Sequence, residues 1–191
     1  DKKTLSEYTS FCRAFMENMN RVVPAGAPVY VFSGNLFFFP LSAVYTDIFQ
    51  FSQLLFWVKD NPTLSNYDYQ FNYESILYGW KKGGPHKFYG PLVFPAANTV
   101  ERETGKDKTI HPAHRPTKLV ADYIKNSSQR NEIVLDVFGG SGSTLIAAEQ
   151  TGRICFMTEL DPKYVDLIRK RYAAYTGQAD RWKEVTPKVE L

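Results

Sequence analysis

Cysteine and histidine are scarce in this chain of 191 residues, which has two cysteines and three histidines. Cys12 and Cys155 stand far apart and lack the spacing typical of zinc sites or disulfide frameworks. No uncharged run approaches the roughly 18 residues of a membrane-spanning helix, and no apolar signal region follows the charged N-terminus. We therefore expect no metal site, no membrane contact and a reducing, cytoplasmic environment.

A large excess of charge of either sign is also absent, because 23 lysines and arginines stand against 20 acidic residues, for a net charge of +3. Binding to a polyanion would therefore require a local basic surface. Hydrophobic residues make up 43% and aromatic residues 15% of the chain, which is ample for a core. The composition predicts a folded chain of one-domain length.

The order of the predicted elements indicates an α/β fold. Thr4 and Glu7 form a capping box ahead of an apolar helical face, and the apolar run at 28–33 predicts a central strand. Strands alternating with helices predict a doubly wound, mostly parallel sheet whose ligand lies beyond the carboxyl ends of the strands. The later elements are predicted as a helix at 37–48, strands at 51–58 and 73–78, a helix beginning at Pro116, a strand at 133–138, a helix at 143–151, a strand at 153–158 and a helix at 161–175.

The strongest local signal is a glycine-rich turn between a predicted strand and a predicted helix, Val134-Leu-Asp-Val-Phe-Gly-Gly-Ser-Gly-Ser-Thr144. Its glycines allow a tight turn and a close approach to a ligand. No lysine follows in the position that a triphosphate-binding P-loop requires. Leu145 occupies the place of the third glycine of a dinucleotide fingerprint, which argues against that motif as well.

An acidic residue, Glu159, ends the next predicted strand, seventeen residues after Gly142. A carboxylate in this position can accept hydrogen bonds from both hydroxyls of a ribose. The glycine-rich turn and Glu159 together therefore indicate nucleoside binding. The lack of phosphate-binding features favours S-adenosylmethionine over NAD or ATP. The alternative is an ordinary strand-to-helix turn, with Glu159 and Asp161 beginning the last helix, where acidic residues suit the helix dipole.

Three segments resemble the beta class of DNA amino-methyltransferases: Phe138-Gly-Gly-Ser-Gly-Ser-Thr-Leu-Ile-Ala-Ala148, Glu159-Leu-Asp-Pro-Lys-Tyr-Val165 and His111-Pro-Ala-His-Arg-Pro116. These enzymes are circularly permuted, so that the catalytic half precedes a target-recognition insertion and the cofactor half. The resemblance implies a Rossmann-like methyltransferase fold. It divides a single domain, 1–191, into the remainder of the catalytic half at 1–80, the insertion at 81–110, the cofactor half at 111–177 and a tail at 178–191.

The resemblance also implies which residues surround S-adenosylmethionine. Glu159 would hold the ribose hydroxyls, and Ser143 and Thr144 would lie near the methionine carboxylate, which a helix N-terminus favours. The alternative for His111 and His114 is that they are ordinary loop histidines next to prolines. The full set implied to bind the cofactor is Asp136, Phe138, Gly140, Gly142, Ser143, Thr144, Glu159, Asp161, His111, Pro112 and Arg115. Three residues depart from the family's usual pattern without removing the pocket: Val137 replaces Pro, Arg115 replaces Lys and Tyr73 replaces His.

The insertion is locally basic, because the stretch 81–118 has eight lysines and arginines against three acidic residues, a net charge of +5. Aromatic side chains lie between the basic ones, which suits phosphate contacts combined with stacking on bases. A solvated loop is the alternative. We expect double-stranded DNA to contact Lys81, Lys82, His86, Lys87, Arg102, Lys106 and Lys108. The basic residues of the last helix, by contrast, are predicted to form a solvated face.

The family's catalytic Asp-Pro-Pro-Tyr or Ser-Pro-Pro-Tyr motif does not occur in the 191 residues, so the catalytic residues are unknown. The chain begins with Asp1 rather than Met, and we expect the motif to precede it, to come from a partner chain or homodimer, or to have been left out. The predicted function is site-specific methylation of an exocyclic amine in DNA, adenine N6 rather than cytosine N4, as in restriction-modification. Two alternatives remain, a non-catalytic DNA-binding subunit and an RNA methyltransferase.

Overall fold

Two structural units make up the chain, 1–100 and 101–191. A computed structural model describes residues 3–63, 66–101 and 115–183. No helix in these ranges is long and apolar enough to cross a membrane, and no group of three potential metal ligands occurs in them. Helices α1 to α5 are Leu5–Val22, Phe38–Ile48, Thr117–Ser127, Ser143–Thr151 and Pro162–Tyr175, and strands β1 to β6 are Pro28–Ser33, Phe49–Thr63, Phe71–Lys81, Ala97–Thr99, Ile133–Asp136 and Ile154–Met157.

The N-terminal unit contains a four-stranded sheet with the order β1-β3-β2-β4. Strand β3 is antiparallel to both of its neighbours, whereas β2 and β4 are parallel. The predicted α/β fold class is confirmed, but this sheet is mixed rather than mostly parallel, because β2 and β3 follow one another without a helix between them. Strand β4 lies inside the predicted insertion, 81–110.

Strand β1 was predicted to be a central strand, and the described residues provide one of its two neighbours. Within the described residues β1 pairs only with β3 and ends the sheet. Its residues alternate between buried and half-buried positions. A short apolar run shows that a strand is well buried, but it does not show how many strands lie beside it.

The core of the N-terminal unit forms where helices α1 and α2 pack on this sheet. The predicted capping box begins α1: Glu7 N donates to Thr4 Oγ1 at 3.3 Å, and Thr4 N donates to Glu7 Oε2 at 2.7 Å. Cys12 and Met16 on α1 are completely buried against this core. Tyr45 on α2 donates its buried hydroxyl to Val29 O of β1 at 2.8 Å, which joins helix to sheet.

The C-terminal unit is built on the parallel pair of strands β5 and β6. Ala121 and Ile124 of α3 pack with Ala147 and Ala148 of α4 in a small core that includes Cys155. Burial, helped by the nearby negative charge of Asp136, raises the pKa of the Cys155 thiol to about 12. Because this thiol stays protonated at neutral pH, Cys155 acts as a small apolar core residue.

Substitution of Gly79 in β3 tests how closely β2 and β3 are packed. A Cβ atom added to Gly79 would lie 1.9 Å from Gln50 O, whereas one added to Gly34 would have no neighbour within 4 Å. We predict that Gly79→Ala lowers the free energy of unfolding by about 2 kcal/mol or more, since overpacking typically costs 1–3 kcal/mol. Gly34→Ala should change it by less than about 0.5 kcal/mol. Urea unfolding of both variants measures the difference, and equal stabilities would contradict the packing.

Candidate functional site

The glycine-rich turn lies at the carboxyl ends of β5 and β6. Gly139 N donates to Thr158 O at 2.8 Å, which ties the turn to the end of β6. Gly140 and Gly142 have φ angles of +53° and +83°, a region that favours glycine. A Cβ atom on Gly139 would lie 2.8 Å from the Met157 side chain, but one on Gly140 would meet nothing closer than 3.9 Å. The turn therefore packs tightly at Gly139 and is open at Gly140.

The Glu159 carboxylate binds the glycine turn directly. Its Oε2 accepts a hydrogen bond from Gly140 N at 2.7 Å, and its Oε1 accepts one from Asp161 N at 3.0 Å. Each carboxylate oxygen can accept a further hydrogen bond. The fold thus brings together the glycine-rich turn and Glu159, which the sequence spacing predicted to act together, and it fixes the orientation of the Glu159 carboxylate.

Two other predicted acids have backbone partners of their own. Asp136 Oδ1 accepts a hydrogen bond from Phe138 N at 2.9 Å, and Asp161 caps helix α5 by accepting one from Lys163 N at 2.9 Å. Phe138 is 52% exposed and Leu160, which follows Glu159, is 96% exposed. The acids hold the backbone in place, and two large apolar side chains next to them in sequence remain accessible to a ligand.

Helix α4 begins at Ser143 as predicted, and no side chain caps its N-terminus. The first-turn amides of a helix have no partner within the helix, and the helix dipole makes this end favourable for an anion. Ser143 Oγ donates to Arg115 O at 2.8 Å. This bond brings Ser143 and Arg115, two predicted site residues, together at the start of α4.

The environment of Arg171 in helix α5 differs from the predicted one. Arg171 was predicted to lie on a solvated face, but its half-buried guanidinium donates to Ser141 O in the glycine turn. Ile168, one helical turn earlier, is buried and lies next to Gly139 and Gly142. The spacing of Ile168 and Arg171 was the available signal, because residues three apart share a helix face. Arg169 has a different environment, against Asp166 and Trp182.

The first basic residues of the insertion are bound to the fold. Lys81 Nζ donates to Val23 O at 2.8 Å, and Lys82 Nζ donates to Thr46 O and Asp47 O at 3.2 and 2.7 Å. These carbonyls lie at the C-terminal ends of α1 and α2, where a positive charge is favourable. Both lysines therefore have structural partners in addition to their predicted role in DNA binding.

The other described residues of the predicted DNA surface are His86 and Lys87. His86 stacks on Trp80 with ring centroids 3.6 Å apart and an interplanar angle of 12°, while Lys87 is exposed. Several predicted site residues lie outside the described residues: His111, Pro112, His114, Arg102, Lys106 and Lys108.

Sequence comparison relates the chain to DNA methylases. The model of a family described as DNA methylase, N6/N4 Mtase, matches residues 1–170. The Type II methyltransferase M.HinfI of Haemophilus influenzae is 22% identical over 186 residues, which cover 86% of this chain and 51% of that protein. The Type II methyltransferase M2.MboI of Moraxella bovis is 28% identical over 125 residues, which cover 65% and 42%. The chain spans about half the length of these curated relatives.

Solved structures of DNA methyltransferases share the fold. The complex of M1.HpyAVI with SAM has a TM-score of 0.75 at 24% identity and covers 84% of this chain and 81% of that one. The cytosine-N4-specific PvuII DNA methyltransferase has a TM-score of 0.79 at 17% identity and covers 97% and 82%. These likenesses confirm the Rossmann-like α/β fold. Because the family model matches nearly the whole chain, the protein belongs to the N6/N4 DNA methylase family.

Proposed function

We propose that the chain binds S-adenosylmethionine and DNA as part of a site-specific DNA amino-methyltransferase. The observation that supports this most strongly is the Glu159 carboxylate held 2.7 Å from Gly140 N, next to the uncapped start of helix α4. The Glu159 carboxylate can accept hydrogen bonds from hydroxyl groups, and the start of α4 favours an anion. S-adenosylmethionine carries both groups, as ribose hydroxyls and a methionine carboxylate.

The residues present fit this cofactor. Glu159 would accept hydrogen bonds from the ribose hydroxyls, and the first-turn amides at Ser143 and Thr144 would face the methionine carboxylate. Phe138 and Leu160 offer exposed apolar surface for the adenine ring. The open space next to Gly140 allows the cofactor to approach the glycine turn. When bound, the cofactor would supply a methyl group on a positively charged sulfur: an amine would attack the methyl carbon, the carbon–sulfur bond would break to leave a neutral thioether, and the amine would lose a proton.

We propose an exocyclic amine of DNA as the acceptor, specifically adenine N6. The net charge of +5 between residues 81 and 118 supports a polyanionic partner. Chemistry on this amine requires the base to leave the helical stack and to be positioned in a pocket. The 191 residues contain no Asp-Pro-Pro-Tyr or Ser-Pro-Pro-Tyr segment for this positioning. The described residues therefore orient the methyl donor, and we propose that a further segment positions the acceptor.

Transfer of tritiated methyl groups from S-adenosylmethionine to unmethylated duplex DNA tests the proposed function. Both the 191-residue chain and the product of its encoding gene are assayed, and the nucleosides are separated after digestion. We expect incorporation as N6-methyladenine with the gene product, whereas N4-methylcytosine would overturn the proposed acceptor. Cofactor and DNA binding without any incorporation would identify a non-catalytic subunit, and incorporation into RNA alone would overturn the choice of DNA.

Gly140→Arg tests the cofactor site. The new side chain would extend into the open space beside Glu159, so we predict that S-adenosylmethionine affinity falls by about 100-fold or more, equivalent to about 2.7 kcal/mol. Gly177→Arg is a matched control, because Gly177 has a similar φ angle of +74° and no neighbour near its Cβ position. Calorimetric titration measures both affinities. Equal affinities in the two variants, at matched melting temperatures, would contradict the site.

Substitution of Lys87 and of Lys81 distinguishes a lysine that contacts DNA from one that stabilises the fold. Lys87→Ala should weaken duplex binding and reduce the slope of log K against log salt by about 1, because one phosphate contact is lost. Its melting temperature should not change. Lys81→Ala should instead lower the free energy of unfolding by about 1 kcal/mol, since Val23 O loses its partner at the end of α1. Salt-dependent binding and urea unfolding of both variants measure the two effects.

A further inference from the structure

The segment 87–95 is a loop without regular secondary structure whose two ends are fixed. Before it, Lys81 exchanges backbone hydrogen bonds with the turn at 26–27: Gly26 N donates to Lys81 O at 2.9 Å, and Lys81 N donates to Ala27 O at 3.0 Å. The stack of His86 on Trp80 extends this anchor to the start of the loop. The chain therefore enters the loop from a fixed position.

The far end of the loop is fixed on strand β2. Phe56 N donates to Ala96 O at 2.8 Å, and Asn98 Nδ2 donates to Pro95 O at 2.9 Å. Trp57, which is 2% exposed, donates its indole N–H to Val100 O at 2.8 Å. These bonds hold the chain immediately after the loop against the sheet. Movement of the loop is limited further by Pro91 and Pro95, whose rings fix their φ angles.

The tip of this loop carries large apolar side chains in solvent. Leu92 is 102% exposed and Val93 is 84% exposed, and Phe88 and Tyr89 are 46% and 39% exposed. Burying a leucine or valine side chain stabilises a fold, and Leu92 and Val93 make no such contribution within the described residues. On a loop that is anchored at both ends, these side chains are available for contact with another molecule.

Charge and size favour nucleic acid as that molecule. The loop 87–95 contains Lys87 and no acidic residue, and the surrounding sequence from 81 to 118 has a net charge of +5. Two aliphatic side chains at a narrow tip are far smaller than the roughly 800 Å² that each partner buries in a typical protein interface. An apolar tip that follows the exposed Lys87, in a loop without acidic residues, instead matches the wedges that enter the base stack of DNA.

We propose that Leu92 and Val93 form an apolar wedge that enters the DNA duplex at the target base pair and stabilises the duplex from which the target base has been extruded. The inference rests on the proposed function, since amino-methylation requires this extrusion. The anchored ends of the loop would resist the force that the displaced bases exert, and the exposed Lys87 is available for a phosphate next to the wedge. Leu92 and Val93 are therefore positioning residues for the acceptor base.

The double variant Leu92→Ser with Val93→Ser tests the wedge in the product of the encoding gene. Two duplexes are used, one with the methylation site mapped from the transfer assay and one with the same site mismatched at the target pair. We expect binding to the paired site to weaken by about tenfold, the equivalent of one lost stacking contact. Binding to the mismatched site should weaken by less than about threefold, because its target base leaves the stack more easily.

A fluorescent base analogue and a control variant complete the experiment. The fluorescence of 2-aminopurine at the target position should rise less with the double variant than with the unaltered protein, while S-adenosylmethionine affinity stays the same. Leu36→Ser is the matched control, because Leu36 is 69% exposed and lies outside the loop, and it should bind both duplexes normally.

The outcomes distinguish the wedge from the function on which it rests. Equal losses on the paired and mismatched duplexes, or no loss on either, would overturn the wedge while leaving methyl transfer intact. A double variant that binds DNA normally but no longer retains a protein partner would assign the tip to that partner and overturn the wedge as well. Failure of the unaltered protein to bind duplex DNA would overturn both proposals.

Discussion

The hydrogen bond between the Glu159 carboxylate and Gly140 N is the constraint on which the candidate cofactor site depends. It joins the end of β6 to the turn that follows β5, nineteen residues earlier in the chain. The same carboxylate accepts the Asp161 amide where α5 begins. A single side chain therefore sets the relation between two strand ends and a helix start. Arg171 of α5 also donates a hydrogen bond to the turn, at the Ser141 carbonyl.

Local features of the sequence predicted much of this arrangement. The capping box of α1, the bounds of α4 and the glycine turn depend on neighbouring residues, and the structure shows all three. The turn could be recognised because its glycines, its flanking strand and a later acid occur together at a defined spacing. Such patterns can be recognised in a sequence because caps and tight turns are stabilised by residues only a few positions apart.

The features that were missed depend on contacts between distant parts of the chain. Lys81 reaches a carbonyl 58 positions away, and Arg171 reaches one 30 positions away. Charge alone predicted DNA contacts for Lys81 and a solvated position for Arg171, because a side chain that binds a distant carbonyl has no local signature. Strand order likewise depends on contacts between distant residues, since it is set by pairing and not by a strand's own composition.

The anchoring of the loop 87–95 has a consequence for how this protein can evolve. The bonds at 81, 96 and 98–100 belong to the sheet and its helices, so residues between them can change, or the loop can lengthen, without altering strand register. Loop length costs little free energy in itself, because closure entropy grows only with its logarithm. Contacts with a partner can therefore diverge in this segment at nearly constant stability. Selection can then act on recognition separately from the fold.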